Sequence, residues 1–196
     1  MTIEKRIDRV ISKINSNPLI YHRETDIHAM IFSELCKEYT KSVKTKLGYT
    51  TGLVHCEYFG GDGTRIDIVV LNKDDAETIE RHTMEKGCVP GNNNKSHIKL
   101  DVAIEVKTNL GRQSRRKEME GLTKDIEKLK KQRDKNPEVE LFLLYFIRYH
   151  SKTNNKKSSA KKQEILENVD EIRKKCEEEK IIFKTNDDYF LEKQKI

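Results

Sequence analysis

The run Leu141-Phe142-Leu143-Leu144-Tyr145-Phe146-Ile147, inside the segment Glu140–Tyr149, constrains the fold of this chain more than any other feature. It falls far short of the roughly 18 consecutive apolar residues that a membrane helix needs. It is rich in strand-favouring side chains and shows no alternation, which is the pattern of a strand buried on both faces near the centre of a sheet. The rest of the chain is polar: 37% of its 196 residues are charged and 35% belong to the hydrophobic set. The apolar residues are clustered, so the composition still suits one folded domain over residues 1–196.

Periodicity fills in the neighbours of that strand. Ile3, Ile7, Val10, Ile11 and Ile14 recur at helical spacing and stop before Asn17-Pro18, which predicts a short N-terminal helix. Ile27, Met30, Ile31, Leu35 and Tyr39 form one stripe, predicting a helix from Glu24 to about Lys44. Extended segments are expected at Leu53–Phe59, Arg65–Leu71 and Ile98–Thr108, the first two joined by the turn residues Gly60-Gly61-Asp62-Gly63. Residues 72–97, with Pro90-Gly91-Asn92-Asn93-Asn94, read as an insertion of unassigned fold. Met119, Leu122, Ile126 and Leu129 predict a charged helix from about Ser114 to Lys135, closed by Asn136-Pro137. Ser151–Lys162 reads as a lysine-rich linker to a helix through Ile165, Leu166, Val169, Ile172 and Cys176, and Ile181–Phe183 as a short last strand. The expected class is α/β, with helices covering a central mixed sheet.

Lys and Arg number 39 against 33 Asp and Glu, and the excess gathers at about 112–135 and 152–162. Such asymmetry suits a polyanion, although a solvated surface of mixed charge explains it equally well. Cys36, Cys56, Cys88 and Cys176 form no C-x-x-C pair, so they read as reduced thiols rather than zinc ligands. The N-terminus lacks the apolar stretch of a signal peptide, and the chain reads as a cytoplasmic protein with no membrane partner.

Three residues carry the chemistry. In Arg65-Ile66-Asp67-Ile68-Val69-Val70 a carboxylate interrupts an apolar strand, where it needs a compensating cation. In Ala103-Ile104-Glu105-Val106-Lys107 the alternation of a strand presents Glu105 and Lys107 on one face. A lone Glu-x-Lys is ordinarily a weak surface pair. The acid on the preceding strand, the Gly-rich turn before it and the basic helix after the third strand together point to more. The six histidines show no H-E-x-x-H or similar spacing; His22 or His28 could line the site, but a plain surface or half-buried histidine is the better reading of each.

Glu24, the Asp67 strand, Glu105-Val106-Lys107 and the helix Lys124-Asp125-Ile126-Glu127-Lys128-Leu129 resemble the PD-(D/E)XK superfamily of restriction-endonuclease-like nucleases. The resemblance implies an αβββαβ core over about Glu24–His150, with N- and C-terminal helical additions. Ile66 stands where the name-giving proline would be, and the insertion lengthens the interval between Asp67 and Glu105. It further implies a metal site on Asp67, Glu105 and the Val106 carbonyl that takes Mg²⁺, with Mn²⁺ as a substitute. Lys107 would act on the attacking water or the phosphate, with Glu24 as a fourth member; Glu34 and Glu38 are less favoured substitutes. Arg112, Arg115, Arg116, Lys124 and Lys128 are placed to contact phosphates.

The expected function is a metal-dependent DNA endonuclease of restriction, defence or repair type, with a homodimer left open. The alternatives are a catalytically inactive nucleic-acid-binding or assembly subunit on the same fold, and an interaction protein whose basic surface meets an acidic partner.

Overall fold

In a computed structural model, described here for residues 1–17, 20, 23–46, 48–59, 64–78, 82–83, 89–90, 98–109, 114–147 and 156–186, the apolar stripes become the buried faces of the helices. The elements in chain order are α1 (Ile3–Ser16), α2 (Glu24–Cys36), β1 (Val43–Lys44), β2 (Thr50–Thr51), β3 (Val54–Phe59), β4 (Arg65–Leu71) and α3 (Lys73–Glu77). They continue with β5 (His82–Thr83), β6 (Val89–Pro90), β7 (Leu100–Asn109), α4 (Arg115–Lys135), β8 (Glu140–Ile147), α5 (Lys156–Glu178) and β9 (Ile182–Thr185). Thr2 caps α1, its hydroxyl accepting from the Lys5 amide, and all five apolar residues of the predicted stripe are buried. Asp26 steadies the start of α2 by accepting from the Arg23 amide at 2.8 Å.

Five strands form one mixed sheet in the order β3-β4-β7-β8-β9. β4 is antiparallel to β3 and β7, whereas β8 runs parallel to β7 and β9. β8, with Leu141 to Ile147 all buried, lies between β7 and β9. Where β9 ends, the Asn186 side chain continues the ladder: it accepts from the Ile147 amide at 2.7 Å and donates to the Ile147 carbonyl at 3.1 Å.

The helices divide between the two faces, and β9 shows how. Lys184 reaches Glu4 at 2.7 Å and Asp8 at 3.0 Å on α1. The ring of its neighbour Phe183 lies 5.9 Å beneath the Arg173 guanidinium of α5. Adjacent strand residues point to opposite faces, so α1 and α5 cover opposite sides of the sheet. Tyr145 donates to Glu118 of α4, which puts the odd-numbered residues of β8 on the side of α4 and α5. α2 packs on α1 and on β3, β4 and β7. The α/β class with helices on a central mixed sheet is therefore correct, and the additions at both ends are part of its layers.

Several boundaries move. The predicted helix from Glu24 stops at Cys36 because the chain turns: the amides of Glu38 and Tyr39 both reach the Leu35 carbonyl. Tyr39 packs on the core from outside the helix, and Val43 pairs with Thr51. The lysine-rich linker is largely the first two turns of α5, since helix begins at Lys156; lysine, alanine and serine without glycine or proline are compatible with helix. Residues 72–97 contain α3, capped by the Asn72 side chain, and the β5–β6 pair. The Gly60–Gly63 turn and residues 91–97 lie outside the described residues. Among the described residues no helix is long and apolar enough to cross a membrane.

Candidate metal centre

β4 is buried from Ile66 to Leu71, and Asp67 is its single acidic residue. On one side, the pairs Cys56↔Ile68 and Tyr58↔Ile66 put Glu57 opposite Asp67. On the other, one step beyond Ile68↔Ile104 puts Glu105 opposite Asp67. Three acidic residues thus occupy one cross-strand row, an arrangement in which like charges destabilise a sheet.

The ladder gives way at this row. Asp67 Oδ2 accepts from the Val106 amide at 2.8 Å. Glu24 Oε2 accepts from the Thr108 amide at 2.9 Å and from its hydroxyl at 3.2 Å. Beyond Ile104 the edge of β7 that faces β4 is held by carboxylates rather than by β4 carbonyls. The Val106 carbonyl shares that edge, because the N–H and C=O of one residue point the same way from an extended strand.

On the face covered by α4, Glu105 is 1% exposed and meets Lys128 Nζ at 2.9 Å. Lys128 also lies 2.8 Å from Asp125, and Lys107 Nζ lies 3.3 Å from the other Asp125 oxygen. Gly121 leaves room for this lysine: a Cβ there would stand 3.4 Å from Lys107 Cε. Glu105 Oε1 is buried without a hydrogen-bond partner among the described residues. Burial, then repulsion from Asp67 and Asp125, pushes the Glu105 carboxyl up to about 9, against the opposing pull of Lys128. Burial pulls the Lys128 ammonium down, but Asp125 and Glu105 outweigh it and hold it above the ordinary lysine value.

From α2, His28 comes within 3.7 Å of Asp67 through Nε2 and 3.9 Å of Glu57 through Nδ1. His28 is 8% exposed, and its Nε2 has no hydrogen-bond partner among the described residues. Glu57 has φ of 54°, in the left-handed region that side-chain-bearing residues seldom adopt, and its other oxygen meets Arg65 Nε at 2.8 Å. One ligand atom each from His28, Glu57 and Asp67 lie within 4.8 Å of one another, so these residues form a group able to hold a cation.

Asp67, Glu105 and Val106 therefore lie together, Lys107 reaches Asp125, which shares Lys128 with Glu105, and Glu24 sits two residues farther along the same edge of β7. Glu34 and Glu38 do not join them: Glu34 is tied to Arg9 at 3.1 Å and Glu38 to Arg6, both on α1. Lys128, read as a phosphate contact, has its ammonium inside the acid cluster. Arg115 faces Glu167 and Glu171 of α5 at 3.5 and 3.6 Å, and Arg116 faces Glu120 at 3.3 Å. Lys124 is exposed, and Arg112 lies outside the described residues. The sequence reading missed Glu57 and Asp125 and ranked a place in the site for His28 below a plain surface or half-buried one. Asp125 had a signal, since it falls on the Leu122–Leu129 stripe at steps of three and four. Neither a family model, nor a curated protein, nor a solved structure matches this chain.

Proposed function

We propose that this chain is a Mg²⁺-dependent DNA endonuclease of the PD-(D/E)XK kind, its core the succession α2-β3-β4-β7-α4-β8. The observation that carries the reading is Glu105 set opposite Asp67 across β7 and β4, its Oε1 buried without a hydrogen-bond partner among the described residues, with Lys107 on the Asp125 that also holds Lys128. Two repelling carboxylates and a strand carbonyl are a donor set that fits a hard divalent cation. Asp67, Glu105 and the Val106 carbonyl would hold it, Mn²⁺ serving in place of Mg²⁺. When bound, such a cation supplies charge for the phosphate and a lowered pKa for its water.

The chain's own residues supply the rest. Lys107 has only N–H donors and ligates no cation; its ammonium, about a third exposed and lying against Asp125, orients a water or neutralises charge on the phosphate as the bond breaks. Asp125 and Gly121 set the direction from which Lys107 enters. Glu24 fixes the edge of β7 that carries the Val106 carbonyl.

Plasmid DNA incubated with the protein, with Mg²⁺ or with EDTA, tests this: metal-dependent nicking is the expected result. A second reading is favoured by Lys128, whose ammonium meets both Glu105 and Asp125 inside the acid cluster. It makes the protein a catalytically inactive DNA-binding or assembly subunit. Salt-sensitive DNA binding with no cleavage in Mg²⁺ or Mn²⁺ would select it.

A further inference from the structure

We propose a second cation position on Asp67, formed with His28 and Glu57, that prefers a transition-series divalent ion such as Mn²⁺ or Co²⁺ to Mg²⁺. It goes beyond the nuclease reading, with which it shares only Asp67.

The His28 imidazole is the first argument. Nε2 is buried, has no hydrogen-bond partner among the described residues, and is directed at Asp67 from 3.7 Å. An imidazole nitrogen suits first-row transition ions, Mn²⁺ binding the weakest of them, whereas Mg²⁺ keeps to oxygen ligands and water. Distance is the second. Ligand atoms that share one cation through bonds of about 2.0–2.2 Å lie at most about 4.4 Å apart, so a group within 4.8 Å needs only a small closure. Glu57 can supply that movement, because its side chain is 44% exposed while His28 and Asp67 are largely enclosed.

The backbone at Glu57 agrees. Its left-handed φ of 54° coincides with the skipped pair in the β3–β4 ladder, opposite Asp67. Strain held at one acidic residue within a strand is typical of a side chain aimed for function. Arg65, 2.8 Å from Glu57, is the competing partner; it is 59% exposed and free to leave. The two cation positions then flank Asp67, one toward α2 and one toward Glu105 and α4.

The test is a titration of the metal-free full chain with Mn²⁺, the free ion being read by its paramagnetic resonance signal. The wild type is expected to bind Mn²⁺, and His28→Ala to lose one equivalent or weaken it by about 10-fold or more. Glu57→Gln should weaken the same equivalent, and Glu105→Gln should retain it. Mg²⁺ at equal concentration should fail to displace it. Circular dichroism establishes that each variant is folded; if His28→Ala is not, Glu57→Gln decides, since it is an isosteric change on a side chain 44% exposed. Mn²⁺ binding identical in wild type, His28→Ala and Glu57→Gln overturns the proposal. A protein that binds Mn²⁺ through His28 and cuts no DNA overturns the nuclease reading alone. One that cuts DNA but loses no Mn²⁺ on either substitution overturns the second site alone.

Discussion

The Lys128 ammonium lies 2.9 Å from the Glu105 carboxylate, so a lysine of the helix that follows the motif strand is turned into the acid cluster rather than out toward a ligand. Removing it takes from the buried Asp125 its nearer cation, leaving only Lys107 at 3.3 Å, and from Glu105 its ammonium partner. Lys128→Ala is expected to destabilise the metal-free fold by about 3 kcal/mol, the low end for a broken buried pair because the ammonium is a third exposed. Urea unfolding checks this, and saturating Mg²⁺ should restore part of the loss. The salt dependence of DNA binding should stay unchanged, whereas Lys124→Ala should make the slope shallower by about 0.9.

Glu105 ties stability to pH. Its carboxyl stands at about 9 in the fold against an ordinary 4.5, through burial first and then Asp67 and Asp125. Between those values the folded form holds a proton that the unfolded chain has released, so stability falls as pH rises across the window. Thermal unfolding of the metal-free protein should show that decline, and Glu105→Gln should flatten it. Mg²⁺ binding at neutral pH should release protons, measurable by calorimetry in buffers of different ionisation enthalpy.

Lys107→Ala should lower cleavage by about 10²–10³, the usual loss for one charge-stabilising contact in a transition state. Fold and metal affinity should be nearly intact, since Lys128 remains on Asp125. Single-turnover rates at saturating Mg²⁺ measure it; wild-type cutting would return Lys107 to the status of a strand lysine held by Asp125.

Gly121 offers a separation of stability from activity. In the interior of α4, Gly121→Ala should stabilise by about 0.5–1 kcal/mol through helix propensity. Its new methyl would rest 3.4 Å from Lys107 Cε, a contact the flexible side chain absorbs. A larger Gly121→Leu should push Lys107 aside, cutting turnover while leaving Mn²⁺ binding unchanged.

What the sequence made legible follows from which patterns are local. The bounds of β4, expected at Arg65–Leu71, match the structure because an apolar run with turn residues before it is a local signal. α4 and β8 were readable for the same reason, and so was the demand of Asp67 for a partner in an apolar strand. Tyr39 misled: it continues the α2 stripe at helical spacing yet packs after the chain has turned. Glu57 was invisible, because in Val54-His55-Cys56-Glu57-Tyr58 it looks like an ordinary exposed strand residue. Only the pairing of β3 with β4 places it opposite Asp67. His28 was discounted for want of a spaced partner, since its neighbours come from two strands rather than from its own helix. Lys128 was assigned to the outside because sequence gives the spacing along a helix face, not which face an ion cluster will claim.

The clasp of Lys184 onto Glu4 and Asp8 has a consequence in time. The last strand of this sheet is held by a helix that precedes all of its strands in the chain. At about 5–20 residues synthesised per second, α1 waits roughly 10–40 s for its partner. Until then the β8 edge, with its run of apolar side chains, has no strand beside it and is a template for other chains. Nascent chains released after Glu178 are expected to aggregate where those released after Asn186 do not, a difference that light scattering on translation products reads directly.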